Sequence, residues 1–214
     1  MAWVASVTAG GAASTAAETL DRVVASIGHL AITASDVEQE YRFERFLDAQ
    51  WPPPPPDAAQ IAEARERLTN QIVLTQEENP RPTDRAESEK SAALRLDALR
   101  KQYVHPEDYQ QALKDLGMTE AEVAARVAQE ELMLRLIDQR LRPAASPSDE
   151  EVADYYRSTF VPTFQKKNGG ATAPPLSEVA DQIREVLTQK RINELLDQWI
   201  EELKPTTNVR FHTF

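Results

Sequence analysis

The chain has 214 residues and not one cysteine. No disulfide framework, thiolate zinc site, iron–sulfur cluster or cysteine nucleophile can therefore be built, in any compartment. Glycine is almost as scarce. The six glycines are Gly10, Gly11, Gly28, Gly117, Gly169 and Gly170, a scatter that forms neither a dinucleotide fingerprint nor a phosphate-binding loop. Nucleotide-dependent chemistry is not expected. Basic residues are in deficit too, with 24 against 35 acidic ones and a formal net charge of −11. Nucleic-acid binding depends on lysine and arginine displacing condensed counterions, so this surplus argues against nucleic acid and anionic membrane surfaces as partners. No window approaches the roughly 18 consecutive apolar residues of a membrane span, and no integral membrane segment is expected. Aromatic residues make up only 7% of the chain, which suits a thin, extended helical core better than a bulky one.

Residues 1–17 (MAWVASVTAGGAASTAA) carry no charged side chain and give way to Glu18 and Asp21. Small residues at Ser14-Thr15-Ala16 or Thr15-Ala16-Ala17 resemble the cleavage region of an export signal, while the basic n-region and a full apolar stretch are missing. The expectation is a truncated or mis-started signal, with a mature chain beginning near Ala17; a disordered tail is the alternative.

Residues 20–33 are rich in β-branched side chains and interrupted by Gly28-His29, which reads as a hairpin. Helices follow. Ser35 with Glu38 reads as a capping box opening a helix from about 35 to 50. Pro52 to Pro56 cannot be helical and reads as a stiff spacer. A second helix runs from Asp57 towards Asn79, and a third spans about 83–103 with Leu94, Leu96 and Leu99 facing inward. His105-Pro106-Glu107 opens a short helix that stops at Gly117, and Thr119 opens the clearest helix, with Val123, Val127, Leu134, Ile137 and Leu141 as its apolar stripe. The segment Ser146-Pro147-Ser148-Asp149-Glu150-Glu151 begins a helix carrying Tyr155, Tyr156 and Phe160. Residues 161–175 read as a loop, 177–204 as a long final helix, and 208–214 as a strand. A lone strand is unstable, so the last one should pair with the N-terminal hairpin.

Catalytic constellations are not apparent. His29, His105 and His212 are far apart in sequence, although pairing of the terminal strands would bring His29 and His212 towards each other. Adjacent acidic pairs such as Glu130-Glu131 diverge by about 100° on a helix and read as solvated faces. Nothing resembles a nucleophile elbow or a serine triad. No catalytic residue, metal or cofactor is expected. Most aromatic and methionine side chains read as core, and those on the short elements read as the lining of an apolar groove for extended polypeptide. The candidate peptide-binding residues are Phe43, Phe46, Tyr103, Tyr109, Leu116 and Met118.

Residues 105–141 (HPEDYQQALKDLGMTEAEVAARVAQEELMLRLIDQRL) resemble the N-terminal chaperone module of the SurA-like periplasmic folding factors. The opening LDRVVASIGHLAITASDVEQE (20–40) is similar to that family's first hairpin. SPSDEEVADYYRSTF (146–160) is similar to the segment leading into its parvulin isomerase domain, and residues 174–211 look like the returning helix and strand that complete the module. The family ordinarily inserts one or two parvulin domains between Phe160 and Pro174, and this chain has only VPTFQKKNGGATA there.

The resemblance implies a mainly α fold, a multi-helix SurA-type chaperone core with a small antiparallel sheet made by the N-terminal hairpin and the C-terminal strand. It implies one domain over 18–214, made of an N-terminal module (18–160), a linker (161–175) and a closing helix and strand (176–214). The expected function is ATP-independent binding of unfolded or outer-membrane-bound polypeptides in the periplasm, without enzymatic activity. A prolyl isomerase relative with residual or no activity and a structural docking subunit are the alternatives. Helix swapping in an open bundle leaves a homodimer open.

Overall fold

A computed structural model describes residues 21–77 and 79–212. The signal-like stretch at 1–17 and the last two residues of the expected strand lie outside the described residues. The chain is mainly helical, with one small antiparallel sheet.

Strands β1 (Val23–Ile27) and β2 (Leu30–Thr33) form the hairpin, turning at Gly28, whose φ of +56° is a conformation glycine adopts without Cβ strain. Strand β3 (Val209–Phe211) pairs antiparallel with β1, opposing Ala25 to Phe211 and Ile27 to Val209. The order is β2-β1-β3, so the end of the chain closes against its beginning. The expected strand pairing is present.

The first helix, α1 (Ala34–Leu47), starts two residues before where the Ser35–Glu38 pair would put it. Thr33, still extended as it leaves β2, is the N-cap: its hydroxyl accepts from the Asp36 N–H, and Asp36 accepts from the Thr33 N–H in return. The proline run then crosses to α2 (Ala58–Thr75), capped reciprocally by Asp57 and Gln60. Helix α3 (Pro82–Arg100) packs antiparallel to α5 (Glu120–Leu141), with the short α4 (Pro106–Leu116) between them in sequence. Gly117 ends α4 at φ +74°, and Thr119 with Glu122 opens α5, both as the sequence predicts. At the far end of the pair, buried Asp84 accepts from the Arg81 backbone and guanidinium and from Gln139 Nε2, tying the start of α3 to the end of α5.

Two inward assignments are corrected. Leu94 and Leu134 point to solvent, 65% and 59% exposed, because packing of the α3–α5 pair is served by Ala92, Leu96, Leu99, Val123 and Val127. The 161–175 loop is corrected over 161–167, whereas 168–175 is non-helical as expected. Helix α6 (Asp149–Tyr155) continues through a π-helical turn at Tyr156–Phe160 into α7 (Val161–Lys167), and Pro162, which has no N–H to donate, follows directly on that wider turn. Tyr156, Phe160 and Phe164 stack along this run at 5.8 and 6.0 Å. The long α8 (Leu176–Thr206) then spans the molecule, from Val152 beside Val179 and Ile183 at one end to Leu203 beneath the sheet at the other.

The core divides into connected clusters. One lies under the sheet, on α1 and α2; one fills the space between α1, α3, α4 and α5. A third joins Leu74 of α2, Ile137 and Leu141 of α5, and Ile192 and Ile200 of α8. A wide depression on the surface borders this third cluster.

Candidate functional site

The six aromatic and apolar residues singled out from the sequence do come together. Phe46 lies 5.6 Å from Tyr109 and 6.2 Å from Tyr103, ring to ring, and Tyr103 meets Tyr109 edge-on at 5.5 Å. Phe43, Phe46, Tyr109 and Leu116, however, are buried in the cluster between α1, α3, α4 and α5, and only Tyr103 and Met118 are half-exposed at its margin. The cluster holds α4 to α1, and four of the six candidate residues present no surface to a ligand. Burial pushes the Tyr103 hydroxyl up to about 12.

The open apolar surface is on the other side of α5. A groove of about 870 Å³ runs between α2, α5 and α8. Its floor is Ile72 and Leu74 from α2, Met133, Leu134 and Ile137 from α5, and Leu196 and Ile200 from α8. A smaller depression of about 280 Å³ shares Leu74, Met133 and Ile137 with it and continues to Trp199 and Arg140, whose guanidinium lies 4.3 Å from the indole. From Arg126 to Arg140 the groove follows 15 residues of α5, roughly 21 Å end to end at about 1.5 Å per step. An extended strand of about six residues, at about 3.3 Å each, matches that length.

The local reason for the groove is in α5 itself. Leu132, Met133, Leu134, Leu136 and Ile137 spread apolar side chains over more than half the helix circumference, far wider than one packing stripe. Helix α3 covers Leu132, and α2 with α8 covers Ile137, while Leu134 is left in the open. That excess breadth is the signal from which the groove could have been read; assigning Leu134 to the inward stripe concealed it.

One end of the groove is walled by charge. Arg67 pairs with Glu44, Arg126 with the buried Glu40, and Arg95 with Glu130 at 3.1 Å and Glu131 at 3.3 Å. Arg126 also lies over the Phe43 ring. Desolvation raises the Glu44 carboxyl to about 7 against the pull of Arg67, with Glu40 and Glu130 pushing in the same direction. Desolvation likewise raises Glu40, opposed by Arg126, and Glu130, opposed by Arg95. The wall combines guanidinium groups already matched to carboxylates with carboxylates that burial makes reluctant to ionise.

The histidines build nothing comparable. His212 Nε2 is 3.3 Å from Ser26 Oγ on the exposed sheet, and His29 lies at the hairpin turn beside Arg210 and Asn208. No group of three or more histidine and carboxylate side chains with metal-binding geometry occurs among the described residues. Among those residues no helix is long and apolar enough to cross a membrane. No protein-family model, curated protein or solved structure matches the chain.

Proposed function

We propose that this protein is an ATP-independent chaperone core that transiently holds unfolded or outer-membrane-bound polypeptides, and that it works in the periplasm. The observation that carries the reading is the groove along α5. It is long enough for about six extended residues, floored by side chains of mixed shape including Met133, and open along its length. A flexible thioether and branched aliphatics adapt to many apolar partners without selecting one, as promiscuous binding requires. Motif resemblance to the SurA-like chaperone module and the return of α8 and β3 to the N-terminal hairpin support the same reading.

The test is suppression of light scattering from a chemically unfolded client, without nucleotide. Suppression at a few-fold molar excess supports the proposal, and none at several-fold excess refutes it. A proline-peptide isomerisation assay separates the enzymatic alternative, and the uncatalysed rate is expected there. For the compartment, fractionation of the native host should place the protein outside the cytoplasm; an intact Met1 on cytoplasmic protein argues against export.

A further inference from the structure

We infer that the α2–α5–α8 groove selects polypeptide segments in which apolar side chains are flanked by lysine or arginine. This rests on the chaperone reading above and adds to it the chemistry of the preferred segment.

The argument is charge complementarity at the rim. Four arginines reach the groove: Arg67 is answered by Glu44, Arg126 by Glu40, and Arg95 by Glu130 and Glu131, while Arg140 lies over the Trp199 indole in the smaller depression, whose lining also includes the exposed Glu77. The three paired arginines offer little free positive charge to a client. The acidic rim is different. Glu63 on α2 and Asp197 on α8 are exposed, line the groove, and form no ion pair among the described residues. Glu66 has only Lys204 at 3.6 Å, and Lys204 lies nearer to Glu201, at 2.6 Å. An apolar floor is thus bordered from two helices by carboxylates without strong partners. A segment whose apolar side chains reach the floor and whose flanks are cationic satisfies both, whereas acidic flanks meet like charge. The net charge of −11 acts in the same direction at longer range, steering cationic segments inward.

The experiment measures anisotropy of labelled peptides about ten residues long, sharing one apolar Leu/Met centre and flanked by lysines, glutamates or serines. At low ionic strength the lysine-flanked peptide is expected to bind about tenfold more tightly than the glutamate-flanked one, as a few exposed pairs supply. The difference should largely vanish in about 0.5 M salt, where screening is nearly complete. The exposed double substitution Glu63→Gln/Asp197→Asn should reduce the lysine-to-glutamate affinity ratio severalfold. Equal binding of the lysine and glutamate peptides overturns the inference, as does a ratio that the double substitution leaves undiminished; in both cases client suppression still stands for the chaperone reading. If no peptide binds while clients are still protected, the groove is not the client site and the inference fails alone. If clients are not protected either, both fall. Concentration-dependent dimerisation abolished by Leu134→Glu would put a second copy in the groove and overturn the inference too.

Discussion

The Arg126 guanidinium lies 3.9 Å from the centroid of the Phe43 ring, while the same side chain forms an ion pair with Glu40, one turn earlier on α1. A cation is thereby held between a buried carboxylate and a buried aromatic face, joining α5 to α1 at the wall of the groove. Glu40 is 1% exposed, so its charge depends on this partner.

Removing that partner should be costly. Arg126→Ala leaves Glu40 buried and uncompensated and should destabilise the protein by about 3 kcal/mol, in the range found for broken buried pairs. Replacing both residues, as Glu40→Met/Arg126→Met, should recover most of the loss because no buried charge remains. Urea unfolding of the two variants checks this: equal destabilisation of the single and double variants would show that the pair contributes by packing alone.

The same wall makes stability depend on pH in an unusual direction. A carboxyl raised in the folded state binds its proton more tightly there than in the unfolded chain. For Glu44, raised from 4.5 to about 7, the resulting stabilisation is fully present below about pH 4.5 and is lost as pH rises towards 7. Glu40 and Glu130, also raised, contribute with the same sign. Asp84 opposes them: hydrogen bonds from Arg81 and Gln139 hold it well below its usual 3.8, so its contribution is lost as pH falls below that value. Thermal unfolding should therefore show Tm declining between pH 5 and 7, and Glu44→Gln should flatten that decline. A Tm that rises through this interval in the parent protein would contradict the assignment.

Gly117 offers a purely conformational test. A Cβ there meets no atom within 4 Å, yet φ is +74°. Gly117→Ala should consequently cost about 1 kcal/mol from backbone strain alone, lowering Tm by about 2–4 °C in a protein of this size. Differential scanning calorimetry measures the shift.

Leu134 and Leu94 form a matched pair for testing the groove. Both are large, exposed and helical, but only Leu134 lines the groove. Leu134→Ser should leave stability within about 0.5 kcal/mol of the parent and reduce client protection severalfold, whereas Leu94→Ser should change neither. Equal loss from both substitutions in the scattering assay would remove the groove from the mechanism.

Much of the fold is legible in local sequence, and the exceptions have physical causes. Gly28, Gly117, Thr119 and Ser148 mark turns and helix starts because each acts through its own backbone or its nearest neighbours. The start of α1 depends on which residue leaves the sheet in extended conformation, and that belongs to Thr33 only once β2 is paired. Residues 161–167 read as loop, yet the helix runs on into them through the π turn at Tyr156–Phe160, an irregularity that no local pattern announces. Phe43, Phe46, Tyr109 and Leu116 have the chemistry of a groove lining, yet packing among α1, α3, α4 and α5 buries them. Which side of an apolar helix stays uncovered is decided by partners distant in sequence, here α2 and α8.

Strand β3 lies against β1, more than 180 residues earlier in the chain. During synthesis, the hairpin leaves the ribosome with one β1 edge unpaired, and that edge stays available until residues 209–211 emerge. Loop closure over such a separation is slow relative to helix formation. A nascent chain therefore passes through a stage in which its helices are formed and its sheet is incomplete. In that interval the free β1 edge is an open template for strand pairing with another chain.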